Sequence, residues 1–177
     1  MSLTSVRQRA IHALVVTALV ALAQASASAA PCYATLVIRH SVPLSVQSTA
    51  DTAVFAEAEQ LAETYQLYFR LNPIVPDAVH RDATCVPGTT ALVFSDVLVL
   101  YSLSRAASDS LVVRVSLGSC TSGGVVLSGE SPRAVSVPNV NAAIVRSGVH
   151  DAFASLGRHI DADPAAARSL GVVAAIR

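Results

Sequence analysis

A histidine that follows an arginine near the end of an apolar, β-branched segment is the feature of this sequence that most suggests chemistry. Such a histidine can accept a phosphoryl group, and guanidinium groups beside it can bind the phosphate oxygens. A second histidine far along the chain would complete a site of this kind. The residues of these types are Arg39, His40, Arg105 and His150. One hypothesis is therefore a small hydrolase that uses these four residues in catalysis.

The pattern is similar to that of the histidine phosphatases, which carry Arg-His-Gly at the end of their first strand. The sequence departs from the family at two positions. Ser41 replaces the glycine that lets the backbone approach the phosphate, and Arg105 falls in a predicted hairpin turn instead of preceding a helix. We therefore keep the phosphatase-like hydrolase as the alternative. The favoured hypothesis is that Arg39 and His40 face solvent at a strand end and that no residue is catalytic.

The other polar clusters predict no cofactor and no metal site. His159, Asp161 and Asp163 alternate along the chain and could offer metal ligands. They follow a predicted helix, however, where such groups usually serve as solvated caps. No Gly-x-Ser-x-Gly segment is present that would make His150 part of a serine hydrolase site.

Residues 1–29 predict a cleavable secretory signal peptide. Arg7 and Arg9 precede the apolar run 13–23, which is shorter than the roughly 20 residues that a transmembrane helix needs. Small residues follow this run, and cleavage is expected after Ala29. We therefore expect a mature protein of residues 30–177, a single globular domain without a membrane anchor, that is periplasmic or secreted.

The composition restricts the partners of the mature domain. Every one of the 12 basic residues is an arginine, and 12 acidic residues balance them. No stretch concentrates basic residues, so a nucleic-acid surface is not predicted. Hydrophobic residues form 53% of the chain and charged residues 14%. Much apolar surface is therefore buried or available to a protein partner, which could be a second copy of the chain.

Residue patterning predicts an α+β domain of order β-α-β-β-β-α. The predicted strands are 33–42, 90–104, 111–117 and 125–128, and the predicted helices are 49–71 and 139–160. The first helix has apolar residues at three- and four-residue steps, and Asp51 is its expected N-cap. Asp163 and Pro164 can open a further helical turn, and 172–176 can add a final short edge strand.

This order of elements predicts a two-layer sandwich, with the helices on one face of a mixed sheet. The crossover through the first helix makes the first two strands parallel. The short connections that follow make the remaining strands an antiparallel meander.

Part of this arrangement resembles the small periplasmic domain found at the N-terminus of TolB and in curli-secretion-type envelope lipoproteins. The residues concerned are strand 111–117, the glycine-containing turn, the segment 123–129 and the helix from Asn139. Segment 119–123 stands where such domains often carry an Asp-x-x-Thr-Gly turn. The resemblance implies protein binding or assembly in the cell envelope, without catalysis.

Export would place Cys32, Cys85 and Cys120 in an oxidising compartment, where a disulfide is expected. The predicted topology brings all three cysteines to the same end of the sheet. We favour Cys85–Cys120, because the second and third strands are hairpin neighbours whereas Cys32 lies beside the new N-terminus. A Cys32–Cys85 bond is the alternative, and the remaining thiol could link two chains.

Cleavage after Ala29 is expected to give a secreted protein whose first residue is Ala30, because signal peptidase cuts after small residues. The measurement is N-terminal sequencing of the soluble periplasmic or extracellular fraction from a host with a general secretory pathway. An intact Met1, or a lipid attached to Cys32, would contradict the prediction.

Overall fold

The computed structural model describes residues 32–71, 85, 88–100, 109–122 and 124–173 of the protein. The predicted signal peptide, residues 1–29, lies outside this part and stays a prediction. The strands are β1 (Cys32–Ser41), β2 (Leu67–Leu71), β3 (Ala91–Leu100), β4 (Ser110–Ser119) and β5 (Val125–Ala134), and the helices are α1 (Leu44–Tyr65), α2 (Ala142–Ala162) and α3 (Pro164–Arg168). A short 3-10 turn, Val137–Asn139, precedes α2.

The strands form one mixed sheet in the order β2-β1-β3-β4-β5. β1 is parallel to both of its neighbours, β2 and β3, whereas β3, β4 and β5 form an antiparallel meander. The predicted α+β class and the mixed sheet are therefore confirmed. The predicted parallel pairing corresponds to β1 and β3, and the structure adds β2 on the other side of β1.

The main core lies between the sheet and the helices. Alternate residues of the central strands, such as Val93, Val97, Val113 and Val115, are fully buried against the apolar stripes of α1 and α2. This alternation follows from the strand geometry, in which successive side chains point to opposite faces. None of the described helices is long and apolar enough to cross a membrane.

The prediction for the first helix was wrong at both ends. The helix begins at Leu44, after Pro43, so Asp51 lies inside α1 and is not its N-cap. It ends at Tyr65 because Gln66 adopts a left-handed conformation with φ of 52°. The residues that follow, 67–71, form β2 instead of a last helical turn. Their sequence, Leu-Tyr-Phe-Arg-Leu, is rich in aromatic residues that favour strands.

β5 is longer than predicted, because 125–128 is only its first part. Glycine and proline usually weaken or end a strand, yet this strand continues through Gly129 and Pro132 to Ala134. Pro132 is tolerated because β5 is an edge strand that pairs only with β4. Gly129 lies directly under α2, where a Cβ atom would overlap the Ala152 carbonyl and the Leu156 amide. The missing side chain therefore allows the helix to approach the sheet.

The cap predicted at Asp163 is formed, whereas the second helix, predicted from residue 139, begins at Ala142. Asn141 is the N-cap of α2, and its side-chain oxygen accepts hydrogen bonds from the amides of Ala143 and Ile144. Asp163 caps α3 in the same way, with Pro164 at the first helical position. The predicted final strand, 172–176, is not formed at Val172 or Val173, and its remainder lies outside the described residues.

The structure contains a disulfide between Cys85 and Cys120, the pairing favoured from the sequence, with an S–S distance of 2.08 Å. Cys32 is free and buried, and its thiol donates a hydrogen bond to the carbonyl of Leu170 at 3.2 Å. Burial raises the pKa of the Cys32 thiol, and the hydrogen bond with Thr90 offsets this only partly. A buried, protonated thiol is poorly suited to linking two chains.

Replacing Gly129 by alanine should destabilise the fold by about 1–3 kcal/mol, the usual cost of forcing extra volume into a packed contact. The measurement is urea denaturation followed by circular dichroism. Gly157→Ala is the matched control, because its new Cβ would meet only the Tyr65 hydroxyl at an ordinary 3.6 Å. Equal losses of stability in the two variants would contradict the proposed role of Gly129.

The Cys85–Cys120 bond closes a loop of 35 residues in sequence separation, which corresponds to a stabilisation of about 3–4 kcal/mol in the chain-entropy description. Peptide mapping without reductant should recover one linked Cys85–Cys120 peptide, with Cys32 alkylated only after denaturation. A linked Cys32–Cys85 peptide, or three free thiols in native protein, would rule out this pairing.

Candidate functional site

Arg39 lies on the face of the sheet that faces away from the described helices, which we call the open face. Its Nε donates a hydrogen bond to Asp96 Oδ1 at 2.7 Å, across the β1–β3 pairing. The guanidinium also lies over the Phe94 ring, 5.4 Å from its centroid. Arg39 is therefore held in place by a carboxylate and an aromatic ring.

His40 points to the opposite face, towards α1. Its Nε2 lies 3.3 Å from Asp51 Oδ1, so the side chain connects β1 to the helix. Its Nδ1 is buried and has no hydrogen-bond partner among the described residues. Because neighbouring strand residues point to opposite faces, Arg39 and His40 cannot hold the same phosphate.

His150 lies on α2, where its Nδ1 is 2.9 Å from Glu57 Oε1 of α1. Glu57 and Asp51 are six positions apart, which separates them by about 9 Å along the helix axis. The structure therefore places His150 and His40 beside different carboxylates. Arg105 lies outside the described residues. Among those described, the predicted catalytic residues are not brought together.

A groove of about 350 Å³ runs between α1 and α2. Polar side chains on its walls include Glu57, Thr64, Tyr65, His150, Arg158 and Asp161. His150 Nδ1 and Glu57 Oε1, which lie 2.9 Å apart, connect the two helices along this groove. The groove thus contains both acidic and basic groups, without a concentration of either charge.

Tyr65 is the polar centre of this groove. Its hydroxyl lies 2.8 Å from Asp161 Oδ1 and 3.0 Å from the carbonyl oxygen of Gly157, and it donates its proton to these acceptors. Burial, the hydrogen bond to Asp161 and the negative charge of Asp161 together raise the pKa of Tyr65 to about 12. The hydroxyl therefore stays protonated and acts as a donor between the helices. The sequence suggested only an apolar helix residue here.

The three residues that could offer metal ligands make separate local contacts, and two of them, His159 and Asp161, lie in the last turn of α2 and not after it. A ring nitrogen of His159 lies 2.6 Å from the carbonyl oxygen of Ser128 on β5. Asp161 accepts the Tyr65 hydrogen bond, and Asp163 caps α3. Within the described ranges, no group of three His, Cys, Asp or Glu side chains could hold a metal ion.

A row of alternating charges crosses the open face, and sequence analysis did not identify it. The strand pairings place Arg39 opposite Asp96, Asp96 opposite Arg114, and Arg114 opposite Glu130. Arg39 contacts Asp96 at 2.7 Å, and Arg114 contacts Glu130 at 2.8 Å. We call these four residues the ionic row. Its charges read plus, minus, plus, minus from β1 to β5.

The open face differs on the two sides of the ionic row. On one side, the Cys85–Cys120 bridge packs against Val37 and Phe94 and forms a small second cluster. On the other side, the strand pairings align partly or fully exposed apolar residues. We call this set the apolar margin, and its members are Leu98, Leu100, Val112, Pro132 and Ala134.

No known protein family and no curated protein matches the chain. Distant likenesses to solved structures are found. A PelC dodecamer from Paraburkholderia phytofirmans is 13% identical over 73% of this chain and 89% of its own, with a TM-score of 0.46. Lipoprotein GNA1162 from Neisseria meningitidis is 15% identical over 74% and 99%, with a TM-score of 0.42. The hypothetical protein CT253 from Chlamydia trachomatis is 12% identical over 78% and 97%, with a TM-score of 0.41.

Proposed function

We propose that this chain is an exported, non-catalytic protein that acts in the periplasm or outside the cell by binding another protein or a second copy of itself. The observation that carries the proposal is the separation of the residues that could form a phosphoryl-transfer site. Arg39 lies on the open face, His40 points towards α1, and His150 lies between α1 and α2.

The electrostatics of these three residues support the same conclusion. A histidine that accepts a phosphoryl group needs positive charge around the phosphate oxygens. Here His40 and His150 each have a carboxylate within 3.3 Å and 2.9 Å, respectively. A carboxylate at such a distance would repel an incoming phosphate dianion. The sites therefore favour local structural contacts over anion binding.

Export is supported by two independent features. Residues 1–29 have the charge and apolar pattern of a signal peptide. The Cys85–Cys120 bond is of the kind that persists in oxidising compartments and is rare in the reducing cytosol. The resemblance to the small periplasmic domain of TolB and of curli-secretion-type lipoproteins suggests the same location.

Protein binding is supported by the apolar groups that remain exposed on the sheet. Tyr33 and Tyr68 are partly exposed and contact each other with ring centroids 5.8 Å apart, and Leu100 is 53% exposed. Tyrosine is enriched at protein interfaces because it offers large contact area with a polar tip. The open face is therefore the proposed binding surface.

The purified protein is expected to show no phosphatase turnover above background, and His40→Ala should leave this unchanged. The fold should remain intact, because the partly exposed His40–Asp51 contact is worth at most about 1 kcal/mol. The measurements are hydrolysis of p-nitrophenyl phosphate and thermal unfolding.

His159→Ala is the matched control, because His159 is an exposed histidine that was not assigned to the alternative site. Turnover that is present in the natural protein, lost in His40→Ala and kept in His159→Ala would establish the hydrolase and end the proposal.

A further inference from the structure

We infer that the outer edge of β2 pairs with the same edge of a second copy of this chain, in a symmetric dimer whose sheet continues through both copies. This inference rests on the proposed function as a binding protein and names the partner and the edge. The observation behind it is that β2 ends the sheet, and no strand in the described part of the chain pairs with its outer side. Tyr33 and Tyr68, the exposed tyrosines of the open face, border this edge.

The pairing of β1 determines which backbone groups of β2 point outwards. The carbonyl of Tyr33 accepts a hydrogen bond from the amide of Thr90, which directly precedes β3, so the backbone groups of Tyr33 point towards β3. Those of Ala34 therefore point towards β2, because successive residues of a strand alternate. Ala34 lies opposite Phe69, and of two opposed residues in a parallel pair only one turns its amide and carbonyl to the other strand. The backbone groups of Phe69 consequently point away from β1.

Leu67 and Leu71 share this outward direction with Phe69, since each lies two positions away from it along the strand. The outer edge of β2 thus offers the amides and carbonyls of three residues within a stretch of five. An unpaired row of this kind is a template for a further strand.

A two-fold axis through Phe69, perpendicular to the sheet, uses all of these groups. In the antiparallel pair that results, Phe69 lies opposite Phe69 of the second copy, and Leu67 of each copy lies opposite Leu71 of the other. The three opposed pairs exchange two N–H···O bonds each, or six in all, and the pairing is reciprocal, as a two-fold axis requires. A shift of one residue would oppose outward groups to inward ones, and a shift of two would leave four bonds. The backbone therefore selects this register.

The side chains agree with the same register. Phe69 is partly buried and packs against the core, so the two phenylalanines would meet on the helix side of the sheet, and aromatic cross-strand pairs stabilise a sheet. On the open face, Tyr68 lies opposite position 70 of the second copy. Arg70 is the only charged residue of β2, so this register opposes no like charges within the strand pair.

The side of α1 above this edge adds apolar surface. α1 covers β2 and β1, whereas α2 covers β4 and β5. Glu57 and Gln60 line the groove towards α2. Phe55 and Ala62 are each two positions from one of these residues, about 200° around the helix, and so lie on the side away from α2. Phe55 is 38% exposed and would lose contact with water in the dimer.

The β5 edge is a less suitable place for a second copy. Pro132 has no amide hydrogen to offer a new strand. The carbonyl of Ser128 already lies 2.6 Å from a ring nitrogen of His159. Both features are typical of an edge that is protected against strand addition, whereas β2 contains no proline. Of the two edges of the sheet, β2 is therefore the one suited to pairing.

The size of the contact predicts a reversible dimer. A strand of five residues is about 17 Å long, and a sheet covered by one helix layer is about 20 Å thick. The resulting area of about 340 Å² per copy is below the roughly 800 Å² of a standard stable interface. We therefore expect association that depends on protein concentration.

The first test places like charges across the proposed strand pair. Tyr68→Lys puts a lysine opposite Arg70 of the second copy on both sides of the axis, which should raise Kd by about tenfold or more. Adding Arg70→Glu to Tyr68→Lys makes the opposed charges opposite in sign and should restore the dimer. Leu100→Lys is the matched control, because it adds the same charge at a 53% exposed residue of the open face, two strands away from β2.

Sedimentation velocity from about 1 µM to about 1 mM covers the expected range of Kd. The samples are exported and processed protein in about 0.15 M salt, where the Debye length of about 8 Å screens the exposed Glu59 side chains of the two copies from each other. The natural protein, the double variant and Leu100→Lys should show a monomer–dimer equilibrium. Tyr68→Lys alone should be mainly monomeric.

The second test uses cysteine linkage to check the register. Phe69 lies on the proposed axis, where opposed Cα atoms of a hydrogen-bonded pair are about 5.5 Å apart, a spacing that suits a disulfide. Phe69→Cys should therefore form a linked dimer under mild oxidation. Tyr68→Cys is the control, because its two copies would lie about 7–8 Å apart on the diagonal, too far for a disulfide without movement of the backbone. Random collisions would link Tyr68→Cys at least as readily, since Tyr68 is 57% exposed.

A natural protein that remains monomeric throughout this range would overturn the dimer, as would a double variant that associates no better than Tyr68→Lys. Equal linkage of Phe69→Cys and Tyr68→Cys would also overturn it, and this comparison decides the matter should Tyr68→Lys fail to fold. Absence of dimers together with absence of phosphatase turnover would end this inference only. Turnover that depends on His40 would end the proposed function instead.

Discussion

The rest of the molecule depends on one constraint. Successive side chains of each strand point to opposite faces of the sheet, and the described helices cover only one of these faces. Because neighbouring residues of a strand point to opposite faces, Val93 and Val97 enter the core while Phe94 and Asp96 lie on the open face. The same rule separates Arg39 from His40. Two residues that suggest one catalytic motif in the sequence therefore make unrelated contacts on opposite sides of the sheet.

Polar side chains of α1 that could take part in catalysis instead connect the helix to its neighbours. His40 reaches Asp51, His150 reaches Glu57, and Tyr65 reaches Asp161. These contacts connect α1 to β1 in one direction and to α2 in the other. The two histidine–carboxylate contacts are partly exposed and are worth at most about 1 kcal/mol each. Tyr65 is buried and donates to a carboxylate, a type of hydrogen bond worth about 1.5–3 kcal/mol. The main effect of these contacts is to fix the position of a helix whose buried face includes the small residues Ala50 and Ala58.

The sequence predicted the elements that carry a strong local signal. β4 has regular alternation, α2 has an apolar stripe at helical spacing, and α3 has its cap at Asp163. The end of α1 was missed because the spacing from Tyr65 to Phe69 suits a helix, although Phe69 belongs to a strand. β5 was predicted too short, because glycine and proline disfavour the interior of a strand and Gly129 and Pro132 lie in its second half. Only the tertiary contact with α2 and the edge position explain why the strand continues.

The ionic row could not be found from the sequence, because its residues become neighbours only through the strand register. Arg39, Asp96, Arg114 and Glu130 come from four different segments, and a slip of one residue would move a strand's side chains to the other face.

Once aligned, the ionic row gives the open face a property that an apolar face would lack. The side chains of the two arginines are 48% exposed and that of Glu130 is 41% exposed, whereas the Asp96 side chain is only 8% exposed and its carboxylate is paired with Arg39. An apolar sheet face would associate in any register, whereas alternating charges permit few. The ionic row therefore restricts which surfaces can pack against this face of the sheet.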